Sequence, residues 1–336
     1  MRQLEVTERI LRLRSVPTLR TLPANDIAQL AASLRTVTFK KGDTLLREDE
    51  PPRCFYLVTT GTVTLRRKGK QIGTVRGPGG VGFLAYLARQ AGGTSAVAES
   101  FVEALEVRGD AMDEVFEDHF IVLLGHIRWV AERLVAENSV NQPPPFVPPE
   151  GAFDKLIGDS ELGIVERIFL LRRMNAFTTA NVNSLSTLAR KLVELRLPEG
   201  HVLWRPGGQA EHSYFIVKGM LDLRWGDGKY VQKIGPGYVV GGAESLVGIP
   251  RWNELTTREP VVALRGTREG LIDLFEDDHE LALKFLSMLA TFLMTIWDKK
   301  AEEGITSVGG SQSEPPPPVA VSPAAHEPPS RSSPPA

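Results

Sequence analysis

From Leu19 to Leu34 the apolar residues recur at helical spacing, with Asp26, Gln29 and Arg35 on the other side, and this predicts an amphipathic helix. Pro23 falls near its start, where a missing N–H is tolerated. The period then shortens. Val37-Thr38-Phe39, Thr44-Leu45-Leu46, Phe55-Tyr56-Leu57-Val58, Val63-Thr64-Leu65 and Gln71-Ile72-Gly73-Thr74-Val75 are strand-like runs, broken by Lys41-Gly42-Asp43, by Gly61 and by Lys68-Gly69-Lys70. Short strands at this turn spacing predict an antiparallel sandwich or barrel. A long apolar periodic stretch, Met112–Val135, closes the unit as a helix, and Leu271–Trp297 repeats the pattern later; each is expected to pack an apolar face on its own sandwich.

The whole pattern occurs twice. Glu8-Arg9-Ile10 recurs as Glu166-Arg167-Ile168, Gly42 as Gly200, Tyr56 as Tyr214, Gly61 as Gly219, and Gly77-Pro78-Gly79 as Gly235-Pro236-Gly237, each 158 positions on. Phe116-Glu117-Asp118 pairs with Phe275-Glu276-Asp277 at 159, so one residue is gained between about Gly80 and Ala104. A period this long exceeds any solenoid unit and predicts two complete domains. They are expected at 1–140 and 154–303. The Pro-rich stretch 141–153 reads as a semi-rigid linker, and 304–336, rich in Pro, Ser, Gly and Ala, as a disordered tail.

Composition narrows the functions. A net charge of −2 over 336 residues gives no global pull toward nucleic acid or anionic lipid. The apolar runs Ile121–Leu124 and Leu281–Leu293 read as too short to span a bilayer, and Met1–Glu5 is no secretory signal. A single cysteine, Cys54, excludes an internal disulfide and a cysteine-based metal site. The expected location is the cytoplasm. The six histidines read as surface or capping residues, and no serine, histidine and carboxylate recur as a nucleophilic triad, so no enzyme activity and no cofactor are expected. The basic tip Arg66-Arg67-Lys68-Gly69-Lys70 lacks interleaved aromatics and reads as solvated.

The turn-strand motifs Lys41–Leu46 and Glu199–Leu203, the pairs Tyr56–Val63 and Tyr214–Leu221, and the two Gly-Pro-Gly turns resemble the cyclic-nucleotide-binding domains of bacterial catabolite activators, protein kinase A regulatory subunits and cyclic-nucleotide-gated channels. The resemblance implies, for each repeat, an eight-stranded antiparallel jelly roll flanked by helices, mainly β with α additions. It also implies a phosphate cassette: N–H groups opening a short helix, a glutamate on the ribose 2′-hydroxyl, and a Pro-Arg whose guanidinium meets the cyclic phosphate. In the second repeat the candidate ligand residues are Gly241, Gly242, Ala243, Glu244, Arg251 and Trp252. Arg251 follows Pro250 and inherits the phosphate role. Gly242 stands at the glutamate position; Glu244 serves only if the turn is rearranged, and otherwise is a solvated acid. In the first repeat Phe83 stands at the glutamate position, expected in the ribose pocket, and Gly92 or Gly93 at the arginine position, which implies a ligand-free copy.

Two functions follow. The first is a non-enzymatic sensor that binds cyclic AMP or cyclic GMP in the second domain and relays it to a partner protein, with Phe292 or Trp297 capping the base and the closing helices forming a homodimer seam. The second is a ligand-free adaptor that uses both domains and Glu314-Pro315-Pro316-Pro317-Pro318 as interaction surfaces. No helix-turn-helix follows the second repeat, so no effector is expected within the chain.

Overall fold

The computed structural model describes residues 6–89, 94–140, 157–158, 160–178 and 180–302. The expected linker and tail lie outside them, as do Gly92 and Gly93. The first repeat runs α1 (Val6–Ser15), α2 (Ala24–Ser33), β1 (Arg35–Phe39), β2 (Thr44–Leu46), β3 (Cys54–Thr60), β4 (Thr62–Arg67), β5 (Lys70–Arg76), β6 (Gly79–Val81), α3 (Phe83–Ala88), β7 (Ser95–Ala98), β8 (Val102–Arg108), α4 (Gly109–Asp118) and α5 (Phe120–Val140). The second repeats this order: α6 (Ile164–Arg172), α7 (Val182–Lys191), β9 (Val193–Leu197), β10 (Val202–Trp204), β11 (His212–Lys218), β12 (Leu221–Trp225), β13 (Tyr230–Ile234), β14 (Val239–Val240), α8 (Gly242–Val247), β15 (Glu254–Thr257), β16 (Val261–Thr267), α9 (Arg268–Asp277) and α10 (His279–Glu302).

Each repeat folds its eight strands into two four-stranded antiparallel sheets, ordered β1-β8-β3-β6 and β2-β7-β4-β5 in the first, β9-β16-β11-β14 and β10-β15-β12-β13 in the second. The two sheets face each other as a jelly roll, and no strand crosses between repeats among the described residues. The recurring residues have local reasons. Gly61 (φ +96°) and Gly219 (φ +84°) turn β3 into β4 and β11 into β12; a Cβ on either would lie 2.3 Å from the carbonyl oxygen of Phe101 or Pro260. Arg9 donates from Nη1 to the oxygens of Ala31 (3.4 Å) and Leu34 (2.8 Å), and Arg167 does the same to Ala189 (3.4 Å) and Leu192 (2.7 Å). Each cation thereby satisfies the orphan carbonyls and negative end of the following helix.

Two expectations need correction. The helix expected over Leu19–Leu34 begins only at Ala24, because Pro17–Leu19 forms a separate 3₁₀ turn and Pro23 precedes the first helical residue. The closing helices are each broken in two, at His119 and at Asp278, which share a non-helical backbone (φ −132°, ψ 80° and φ −134°, ψ 83°). Asp278 makes the second break by capping Leu281 N–H (3.0 Å) and accepting from Asn181 (2.8 Å).

The short segments α4 and α9 pack on their own sandwiches; the long ones, expected to do only that, also reach across to the other domain. Helix α5 lies on α8 of the second repeat, α10 lies on α3 of the first, and the two run against each other. One hydrophobic cluster thus runs through both domains, from Leu13 and Phe116 to Phe285 and Leu293. The physical reason is that α5 and α10 are apolar on several faces, and a single sandwich covers only one. By length and composition alone, His279–Lys299 of α10 would suit a bilayer (mean hydropathy 1.4), longer than the sequence runs suggested; in the fold 56% of that window is buried.

Candidate ligand site in the second domain

Gly241, in a left-handed conformation (φ +73°), turns β14 into α8. Its absent Cβ would fall 2.4 Å from Nη1 of Arg251, so the arginine lies against this turn. Arg251 comes from the segment between α8 and β15, and its main chain is anchored by Arg251 N–H to Gly208 O and Gly207 N–H to Arg251 O, both 2.8 Å. Its side chain is 2% exposed. Nη1 donates to Gly241 O at 2.8 Å, Nη2 donates to His212 O, and the guanidinium lies 4.2 Å over the Trp204 ring. Glu244 Oε2 is 3.8 Å away. Nε is buried without a partner. Burial pulls the Arg251 pKa below its ordinary value, and the Glu244 carboxylate opposes that shift.

In front of this turn is a cavity of about 220 Å³. Gly241, Gly242, Ala243, Glu244 and Trp252 line it, with Trp204, Tyr238 and Asn253. Trp204 is fixed by donating Nε1–H to Asn253 Oδ1 (2.9 Å), and Trp252 packs edge-on against Trp225 (5.8 Å). The roof comes from both closing helices: Leu134 and Val135 of α5, Phe292 and Ile296 of α10. Arg251 lies behind Gly241 and does not line the cavity; among the described residues no lysine or arginine does. Glu244 is buried, not solvated. The arrangement offers aromatic walls for a flat ring, with a carboxylate and an amide as polar anchors.

The first repeat uses the same turn differently. Gly82 (φ +87°) would place a Cβ 2.3 Å from Cδ1 of Leu46, the counterpart of Trp204. Only about 10 Å³ remains among Leu46, Leu65, Leu84, Met294 and Trp297, space for no more than a single water. Phe83 is not in this pocket, contrary to expectation. It points out of the sandwich onto Phe55 (4.8 Å), His126 (5.2 Å) and Trp129 (5.9 Å), because the aromatic seam beneath α5 buries it better than the filled interior could. His126, read as a surface or capping residue, is fully buried there; it shares hydrogen bonds with Thr18 Oγ1 and Val122 O, both 2.8 Å.

Phe292 is in the roof of the second-domain cavity, whereas Trp297 reaches the first domain. Sequence reasoning missed Leu134, Val135 and Met294. One signal was available: Val135 and Met294 are counterparts at an offset of 159, and each faces the other repeat's cassette. Among the described residues no three His, Cys, Asp or Glu side chains are grouped to hold a metal.

Two jelly rolls, each opening a short helix from a left-handed glycine at the same place, define a tandem of one helix-flanked domain. The sequence model of the cyclic nucleotide-binding domain matches residues 36–119 and 194–278, together just over half of the chain. The chain belongs to that family, and carries its domain twice. Solved structures similar to it include the regulatory domain of Toxoplasma gondii PKA with cAMP (14% identity over 85% of this chain and 96% of that one, TM-score 0.33). Another is the regulatory subunit of a cAMP-independent protein kinase A from Trypanosoma cruzi bound to guanosine (14% identity, 90% and 91%, TM-score 0.33). A third is a cAMP-binding acyltransferase from Mycobacterium smegmatis (28% identity, 33% and 36%, TM-score 0.29).

Proposed function

We propose that the chain is a non-catalytic, cytoplasmic regulatory protein whose second domain takes a cyclic nucleotide, cyclic AMP or cyclic GMP, and whose paired helices α5 and α10 pass its presence to a partner protein. One observation carries this reading: the cavity at the family's ligand position is roofed by both of those helices. A ligand that favours one roof position over another shifts the seam between the domains.

Binding has a defined cost. To meet a phosphate, Arg251 must leave the Gly241 and His212 carbonyls and the Trp204 face. Hydrogen bonds from a charged group are worth about 1.5–3 kcal/mol, and a cation–π contact about 0.5–2 kcal/mol. Gly242 offers no carboxylate to a ribose hydroxyl. The affinity is therefore roughly tens-fold or more below that of a complete cassette. Glu244, already inside the cavity, is the residue that offsets part of this loss.

The test is thermal melting with millimolar cyclic AMP or cyclic GMP. Saturation to one hundred times the dissociation constant stabilises by about 2.7 kcal/mol. The ligand-induced rise is expected in the wild type and in Phe83→Ala, absent in Arg251→Ala, with one site per chain by calorimetry. Two equivalent tight sites, or no heat with any cyclic mono- or dinucleotide, would refute the reading. A second reading, a ligand-free adaptor, is favoured by the same arginine: its terminal nitrogens are already engaged by two carbonyls and an aromatic face.

A further inference from the structure

The basic tip of the β4–β5 hairpin has an occupant. Arg67 grips Asp298 of α10 in a two-point pair, Nε to Oδ1 and Nη2 to Oδ2 (3.1 Å), with the two side chains 10% and 11% exposed. Lys68 Nζ lies 3.4 Å from Asp298 Oδ2 and 3.5 Å from Glu302 Oε1, and Lys70 Nζ donates to the main-chain oxygen of Glu302 at 3.3 Å. Three cations thus meet two carboxylates and a main-chain oxygen in the last described turns of one helix. Immediately before Asp298 and one turn back, Trp297 and Met294 of the same helix fill the ligand position of the first domain. One turn before Ile296, Phe292 begins the roof of the second-domain cavity.

Among the described residues the contact has no mirror image. The counterpart hairpin tip, Arg224-Trp225-Gly226-Asp227-Gly228-Lys229, is not a basic cluster, and the counterpart of Asp298 on α5 is Ser139. This grip belongs to α10.

We infer that the first domain is a receptor for the C-terminal end of α10: its ligand position holds Trp297 and Met294 as a built-in occupant, and Arg67, Lys68 and Lys70 form a charge latch on Asp298 and Glu302. The latch holds closed the helix that roofs the second-domain cavity. Its release uncovers Met294 and Trp297 on the helix and Leu46 and Leu65 in the pocket. This holds whether or not the cavity binds a cyclic nucleotide.

Hydrogen exchange of the full chain, read by peptide mass spectrometry, tests it. Asp298→Arg is expected to speed exchange over residues 290–302 by about tenfold or more, with β11 and β16 unchanged, because a two-point charge-assisted pair becomes a repulsion. The charge swap Arg67→Glu with Asp298→Arg is expected to restore protection, which mere loss of packing would not. Should Asp298→Arg fail to fold, Lys68→Glu with Lys70→Glu, on exposed positions, is expected to speed the same segment at low salt and less so at 1 M salt, where the Debye length is about 3 Å. Exchange unchanged in every variant, or a swap that restores nothing, would overturn the inference.

Discussion

Arg128 and Ser287 stand 159 positions apart and do the same task in opposite directions. Arg128, on α5, donates Nε–H to Leu246 O at 3.2 Å; Ser287, on α10, donates its hydroxyl to Ala88 O at 2.8 Å. Each reaches from one repeat's long helix to the end of the other repeat's cassette helix, where carbonyls lack helical partners. The two domains are thereby tied reciprocally through the elements that shape their ligand positions. Arg128→Ala is expected to cost about 1.5–3 kcal/mol and Ser287→Ala about 0.5–1.5 kcal/mol. Urea unfolding should show one transition for both domains, since they share a core. Two resolved transitions in the wild type would break this account.

Glycines at the turns separate two costs. Gly42 (φ +92°) has nothing within 4 Å of a built Cβ, whereas Gly61 (φ +96°) would drive one into Phe101 O at 2.3 Å. Gly42→Ala therefore carries conformational strain alone, about 1–2 kcal/mol. Gly61→Ala adds a backbone clash and should exceed it by at least about 1 kcal/mol. Denaturant midpoints of the two variants decide this; equal losses would mean the β3–β4 turn relaxes freely.

Phe83 holds an aromatic seam, not a ligand. Phe83→Ala is expected to destabilise by about 2–4 kcal/mol through lost contact with Phe55, His126 and Trp129. Phe83→Glu, which restores the family's residue type, should destabilise at least as much and confer no cyclic-nucleotide binding, because a carboxylate would be buried among rings. Calorimetry on Phe83→Glu is the check, and a second binding event would contradict this.

His126 makes the fold acid-sensitive. Burial lowers its pKa from 6.5 to about 4, with the Val122 carbonyl opposing. The unfolded chain takes a proton below about pH 6.5 that the folded chain accepts only near pH 4, so folding stability falls as pH drops through this window. The loss approaches about 3 kcal/mol at pH 4. His126→Gln should remove that part of the slope of stability between pH 7 and 4. An unchanged slope would mean that other groups dominate the window.

Much of the fold was legible from local chemistry. Gly61 and Gly219 sit where only a residue without a Cβ fits, and Arg9 and Arg167 act on helix ends 22 to 25 residues away, so both pairs leave marks at a fixed offset in the chain. The strands between them follow a period that any half-buried sheet imposes. Residue types at the cassette were equally plain: Gly242 and Phe83 stand where the resemblance implies glutamate.

What those residues touch was decided elsewhere. Apolar periodicity in Met112–Val135 and Leu271–Trp297 states that a face is buried, but not which surface buries it, and the surfaces chosen include some 100 or more positions away. Helix α5 of its own repeat drew Phe83 outward, while α10 of the other repeat filled the first ligand position with Met294 and Trp297 and gave the solvated-looking Arg67 a carboxylate. Side-chain direction at the arginine was likewise a tertiary matter, since Gly241, His212 and Trp204 converge on Arg251 from separate strands and turns. The sequence by itself determined the two jelly rolls, because turn geometry and strand period are short-range properties. Only the tertiary structure decided which pocket is open, because that depends on a helix supplied by the other domain.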